Sequence, residues 1–179
     1  MDAEDQIVNK VSNSSLISFD LEEYYQPGER VVVDITDQLY EGIILKEKDF
    51  RAFIKTHDWS AYQNKFVAIA CSADAIIPTW AYMLISIALK PFAKDVMFGT
   101  LADLEIEIFR KALQKVDWST FKNAKVVVKG CSKVDVPASI YVEATNQLMN
   151  YVSSLMFGEP CSTVPLFKKI IIKNNSALS

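Results

Sequence analysis

A single histidine, His57, stands in the whole sequence. A serine or cysteine triad is therefore hard to assemble, because that one imidazole would have to reach a nucleophile on another loop. Glycine is almost as scarce, and the five present fall into no G-x-G-x-x-G or phosphate-loop pattern. No H-E-x-x-H occurs either, so neither a nucleotide-driven nor a hydrolytic enzyme is supported. Positive charge is not in excess: 19 lysines and arginines face 22 acidic residues, for a net charge of -3. Without a basic field, nucleic acid is not an expected partner. No apolar run approaches the roughly 18 residues of a membrane span, and no charged-then-apolar leader is read, so no membrane association is expected. Three cysteines, odd in number and widely spaced, do not make a secreted disulfide framework. They are read as reduced thiols of a cytoplasmic protein.

What is present is apolar and ordered in pattern. Half of the residues are hydrophobic and 23% are charged, the balance of a globular chain. At 179 residues the reading is a single α/β domain over 1–179, or two half-domains sharing a core. All three cysteines stand in one setting, Cys-Ser followed by a proline: Cys71-Ser72 before Pro78, Cys131-Ser132 before Pro137, and Cys161-Ser162 before Pro165.

The first two settings belong to a longer repeat at an offset of 59. Phe50-Arg51 returns as Phe109-Arg110, and Asp58-Trp59-Ser60 as Asp117-Trp118-Ser119. Asn64 returns as Asn123, Pro78 as Pro137, Tyr82 as Tyr141, and Met97-Phe98-Gly99 as Met156-Phe157-Gly158. A period this long suits a supersecondary unit. The parts are an N-terminal extension 1–45, units 47–99 and 106–158, and a C-terminal arm 159–179. Each unit reads as a helix ending near Asp-Trp-Ser, a strand (Phe66–Ala70; Val126–Lys129), the Cys-Ser loop, a helix with proline in its first turn, and a short strand ending at Met-Phe-Gly. Leu101, Leu104, Ile108, Ala112 and Leu113 line one face of a connecting helix. The prediction is an α/β fold on a mostly parallel sheet, built from an internal βα duplication with pseudo-twofold symmetry.

The extension predicts a short helix over Asp5–Val11 and strands at Leu16–Phe19 and Arg30–Ile35, which join that sheet or form an antiparallel annex. Leu39–Leu45 reads as strand or helix, and the segment from Lys46 to about His57 as helix. Glu159–Pro165 reads as a loop, and Lys168–Lys173 as a terminal strand or exposed arm.

The stretches CSADAIIPTWAYM, KGCSKVDVP and FGEPCSTVPL resemble a small bacterial family built around a domain of unknown function. The resemblance covers most of the chain, with the three Cys-Ser segments as its most specific part. It implies neither an activity nor a cofactor.

In open α/β sheets ligands bind beyond the carboxyl ends of the strands, where Cys71 and Cys131 fall, each shortly before a helix. A helix N-terminus favours the thiolate, the nucleophilic and metal-binding form. If the repeats face one another, Cys71, Cys131 and Cys161 converge, with Asp74 or Asp135 as a fourth ligand and His57 as another candidate. That set suits zinc or an iron–sulfur cluster. The competing readings are a metal-free thiol enzyme, and a non-catalytic interaction or oligomerisation module whose cysteines only pack. Ser72, Ser132, Asp74 and Asp135 serve equally well as caps. Trp59 and Trp118 read as core anchors, and Tyr82 and Tyr141 as core residues one turn into their helices. Lys129 and Lys133 flank Cys131, either lowering its pKa or standing in solvent. The partners left open are a second copy of the chain and a small molecule.

Overall fold

The structure, a computed structural model, describes residues 16–130 and 133–169. In chain order its elements are β1 (Leu16–Asp20), β2 (Arg30–Asp34), α1 (Glu47–Thr56), β3 (Phe66–Ala70), α2 (Thr79–Leu89), β4 (Asp95–Phe98), α3 (Leu101–Leu113), β5 (Lys125–Lys129), α4 (Ala138–Leu148), β6 (Ser154–Glu159) and β7 (Ser162–Lys168). They divide into two compact units. One is continuous, Gln26–Phe109; the other is split, joining Met1–Tyr25 to Arg110–Ser179.

The continuous unit carries a three-stranded, all-parallel sheet in the order β2-β3-β4. Its central strand, Phe-Val-Ala-Ile-Ala, is apolar at every position because both faces are covered. Val67 and Ile69 point to one face and pack with Phe50 of α1 and with Ala81, Ile85 and Leu89 of α2. Phe66 and Ala68 point to the other and meet Leu104 and Ile108 of α3. Burial of each Val, Ile, Leu or Phe side chain among these contributes about 1.5–3 kcal/mol, which makes this two-faced strand the spine of the unit. Trp59 is the anchor expected of it, 8% exposed, with its indole N–H donating to the Ile54 carbonyl at 2.8 Å.

The split unit repeats the theme with a four-stranded sheet, β1-β5-β6-β7, in which the first three strands are parallel and β7 is antiparallel. Val126, Val127 and Val128 are buried, as are Ile140, Ala144 and Leu148 at four-residue steps along α4. Trp118 sits against Phe19, ring centroids 5.4 Å apart. Positions related by 59 also share local conformation. Asp58 and Asp117 have φ -80° with ψ 91° and 90°, and each carboxylate accepts from the serine two residues on. Asn64 and Asn123 are left-handed, at φ 59° and 60°, a region asparagine tolerates better than most side chains.

Some expectations need correction. The strands form two sheets and not one. The two early strands are split between them, each as a parallel neighbour of a repeat strand, so there is no antiparallel annex among the described residues. Leu39–Leu45 is neither strand nor helix: Glu41 and Gly42, at φ 52° and 74°, reverse the chain within a Tyr40–Ile44 bridge. The two-proline loop is largely strand β7; Pro165 is tolerated because β7 is an edge strand with a register shift, where a missing N–H costs little. Pro78 and Pro137 precede the first helical residue instead of occupying it. The predicted helix at Asp5–Val11 and residues 170–173 lie outside the described residues. Among the described residues no helix is long and apolar enough to cross a membrane.

Candidate functional site

The first strand of each sheet ends in an aspartate that organises the turns around it. In the continuous unit β2 ends at Asp34, whose carboxylate accepts from the Thr36 amide at 3.0 Å, the Thr36 hydroxyl at 2.6 Å and the Ser72 amide at 3.2 Å. The Thr36 oxygen in turn accepts from the amides of Ser72 and Ala73, at 3.1 and 3.2 Å. The aspartate that ends β2 and the threonine two residues on thus fix the Cys-Ser loop that leaves β3. Hydrogen bonds from Ser72 first, and then from Thr36, hold the Asp34 pKa down at about 2. The Cys71 thiol is half-buried, 3.8 Å from the Thr36 hydroxyl and 3.8 Å from the Ala73 carbonyl, to which it donates.

In the split unit β1 ends at Asp20, which caps the next turn in the same way by accepting from the Glu22 amide at 3.0 Å. Asp20 also pairs with Lys129 at 3.0 Å. That hydrogen bond, and then the charge behind it, raises the lysine pKa. Lys129 is thus engaged by Asp20, while the Lys133 amide donates to Glu22 at 2.8 Å. Gly130 has φ +156°, and a Cβ there would stand 2.6 Å from the Tyr141 hydroxyl.

Beside the Cys71 loop, α2 and β4 leave an open groove of about 430 Å³. Thr79, Tyr82 and Ser86, spaced three and then four residues apart on one stripe of α2, form its hydroxyl-bearing wall. Val96 and Phe98 of β4 form the apolar wall, with Ile69 at the base and Met83 and Met97 at the margins. Among the described residues the lining holds no carboxylate, amine, imidazole or thiol. Tyr82 stands edge-on to Phe98, ring centroids 4.8 Å apart. Its pKa is raised, by burial first and then by Cys71 and Asp34, so the phenol lies close to the loop. Two apolar residues of the lining stand well out in water: Met83 and Phe98 are 60% and 63% exposed.

Comparison with known proteins gives one result. Residues 5–169 match the family described as "Protein of unknown function (DUF2480)". The chain belongs to the DUF2480 family. No curated protein and no solved structure gives a significant match.

For this DUF2480 chain the candidate residues fare unevenly. Cys71 is half-buried in the loop that Asp34 and Thr36 pin. Asp74 is exposed in a bend, and Asp135 is exposed ahead of α4. Cys161 is exposed in the turn between β6 and β7. Cys131 and Ser132 lie outside the described residues. Among the described residues, no group of three or more histidine, cysteine, aspartate or glutamate side chains is arranged to hold a metal ion. His57 ends α1 with its ring packed 4.5 Å from Trp59 and 4.9 Å from Phe53, and its Nε2 lies 3.3 Å from the Tyr62 hydroxyl. Sequence reasoning missed Asp34, Thr36 and Asp20. The signal was available: Phe19-Asp20-Leu21-Glu22 and Val33-Asp34-Ile35-Thr36 share one pattern at the ends of two strands.

Proposed function

We propose that the protein is a binding module whose working surface is the groove between α2 and β4. The observation that carries this is the groove itself: its size is that of a small-ligand or side-chain site, with one apolar wall and a row of hydroxyls for orientation. α2 supports the reading. Its exposed positions include the apolar Met83 and Ile87, at 60% and 68%, whereas α4 has Asn146 where α2 has Ile87. An apolar stripe facing water marks a surface that a partner covers. A neutral, largely apolar group fits the lining, since none of its described residues is charged. On the same reading the two units are copies of one duplicated element, supported by the matched Asp58/Asp117 and Asn64/Asn123 conformations.

The experiment is an NMR titration of the full chain with neutral aromatic fragments. Shift changes should concentrate at the amides of 79–86 and 96–98. Absence of binding there, or binding at residues 71–74 instead, counts against the groove. The thiolate reading, with Cys71, Cys131 and Cys161 holding zinc or an iron–sulfur cluster, has in its favour the partly accessible Cys71 thiol on a pinned loop. Element analysis of the purified protein separates the two. Stoichiometric zinc or iron that disappears in Cys71→Ser would replace the groove reading with the metal one.

A further inference from the structure

β4 and β6 occupy the same place in their sheets, each the third parallel strand, and each carries Met-Phe followed by glycine. β6 carries β7 on its outer side; among the described residues β4 is paired on one side only, with β3. The consequence shows in burial. Leu155 of β6 is fully buried and Phe157 is 41% exposed, whereas Val96 is half-buried and Phe98 is 63% exposed. β7 sets Phe167 opposite Leu155, Pro165 opposite Met156 and Val164 opposite Phe157. Residues directly opposite in an antiparallel pair share a face of the sheet, so on β6 Phe167 and Val164 extend the face that corresponds to the Val96 and Phe98 face of β4.

We propose that β4 is a docking edge for an extended polypeptide segment, which adds to the sheet as an antiparallel strand and sends alternate apolar side chains into the α2–β4 groove. This rests on the groove reading and names its ligand. The hydrogen-bonding groups are in place. Gly99 donates to Ile69 on β3, so by alternation the amides of Val96 and Phe98 face the open edge. The Val96 amide donates there to the Asp95 carboxylate at 2.9 Å, a contact that an added strand displaces. Main-chain bonds along the edge supply affinity and the groove supplies choice of side chain. Taking β7 as the pattern, the segment places a β-branched residue opposite Phe98 and an aromatic residue opposite Val96.

The test uses the full chain and a synthetic peptide of residues Ser162–Lys168, blocked at both ends. Two further peptides carry a single N-methyl group, one at Thr163 and one at Val164. Neighbouring amides in a strand point opposite ways, so only one of the two methyl groups faces β4. The expected result is saturable binding that shifts the Val96 and Phe98 amides. One methylated peptide should bind about tenfold more weakly and the other within about twofold. No binding at millimolar peptide, or equal affinity of both methylated forms, overturns the proposal. Sedimentation supplies the other arm. A dimer that becomes monomeric in Val96→Pro, whose lost N–H points away from β3, would assign the edge to a second copy and also overturn it. If indole shifts the groove residues while the peptide does not bind, the strand proposal fails and the groove reading stands.

Discussion

Replacing Asp34 with Asn keeps the shape of the side chain and removes its charge, which isolates what the carboxylate does for the Cys-Ser loop. The ordinary pKa is 3.8 and the folded one is about 2. Taken alone, that depression is worth at most about 2.5 kcal/mol. Asp34 is exposed, however, and water screens it, so about 1 kcal/mol is the reasonable figure. Because the folded pKa lies below the unfolded one, the stabilisation is fully present above the unfolded value and is lost as pH falls through about 2. Urea unfolding of the parent and Asp34→Asn should therefore differ by about 1 kcal/mol at pH 7, roughly 0.5 M in midpoint for an m-value near 2 kcal/mol/M. The difference should close as pH is lowered from about 4 towards 2. Amide exchange at Ser72 and Ala73 should quicken in the variant at neutral pH. A gap that persists unchanged at the acid end, or unchanged exchange at both amides, refutes the assignment.

Ile85→Ala, at a fully buried position of α2, should cost about 2–5 kcal/mol by chemical denaturation; less than about 1 would mean that this face collapses readily. Gly130→Ala forces a side chain into left-handed backbone and onto the Tyr141 hydroxyl, at an expected cost of about 1–3 kcal/mol. The cost should shrink in a Tyr141→Phe background, and equal costs in both backgrounds would rule out that contact. Asp58→Ala and Asp117→Ala should raise amide exchange at Ser60 and Ser119 by similar factors, since the two caps share one geometry. A response in only one of the pair would set the two turns apart.

The strands and helices were legible wherever local pattern decides them. The apolar run Phe66–Ala70, the four-residue apolar steps of α4 and the amphipathic spacing of Leu104 and Ile108 each announce an element without tertiary help. Strand pairing was not legible. β1 ends at Asp20 and β2 begins at Arg30, yet the two enter different sheets, a long-range choice that no local periodicity encodes. β7 was hidden by Pro165, which argues against a central strand but not against a bulged edge. At the candidate site, the cysteines drew attention because they are rare, while the groups that fix the Cys71 loop are a common aspartate and threonine distant in sequence. The groove was harder still to anticipate. Thr79, Tyr82 and Ser86 form a legible stripe, but the apolar wall opposite depends on how far α2 stands from β4.

The groove is tested most directly by titrating indole into the parent protein and into Phe98→Asp, followed by NMR. Phe98 is exposed enough for the variant to keep its fold, and unchanged dispersion at Ile69 and Ile85 checks that it does. Loss of the ring from the apolar wall should weaken binding by about 10- to 100-fold, the equivalent of about 1.5–3 kcal/mol of apolar contact. Indole that binds both proteins equally, with the same shifted amides, would contradict the assignment of the α2–β4 groove as the working surface.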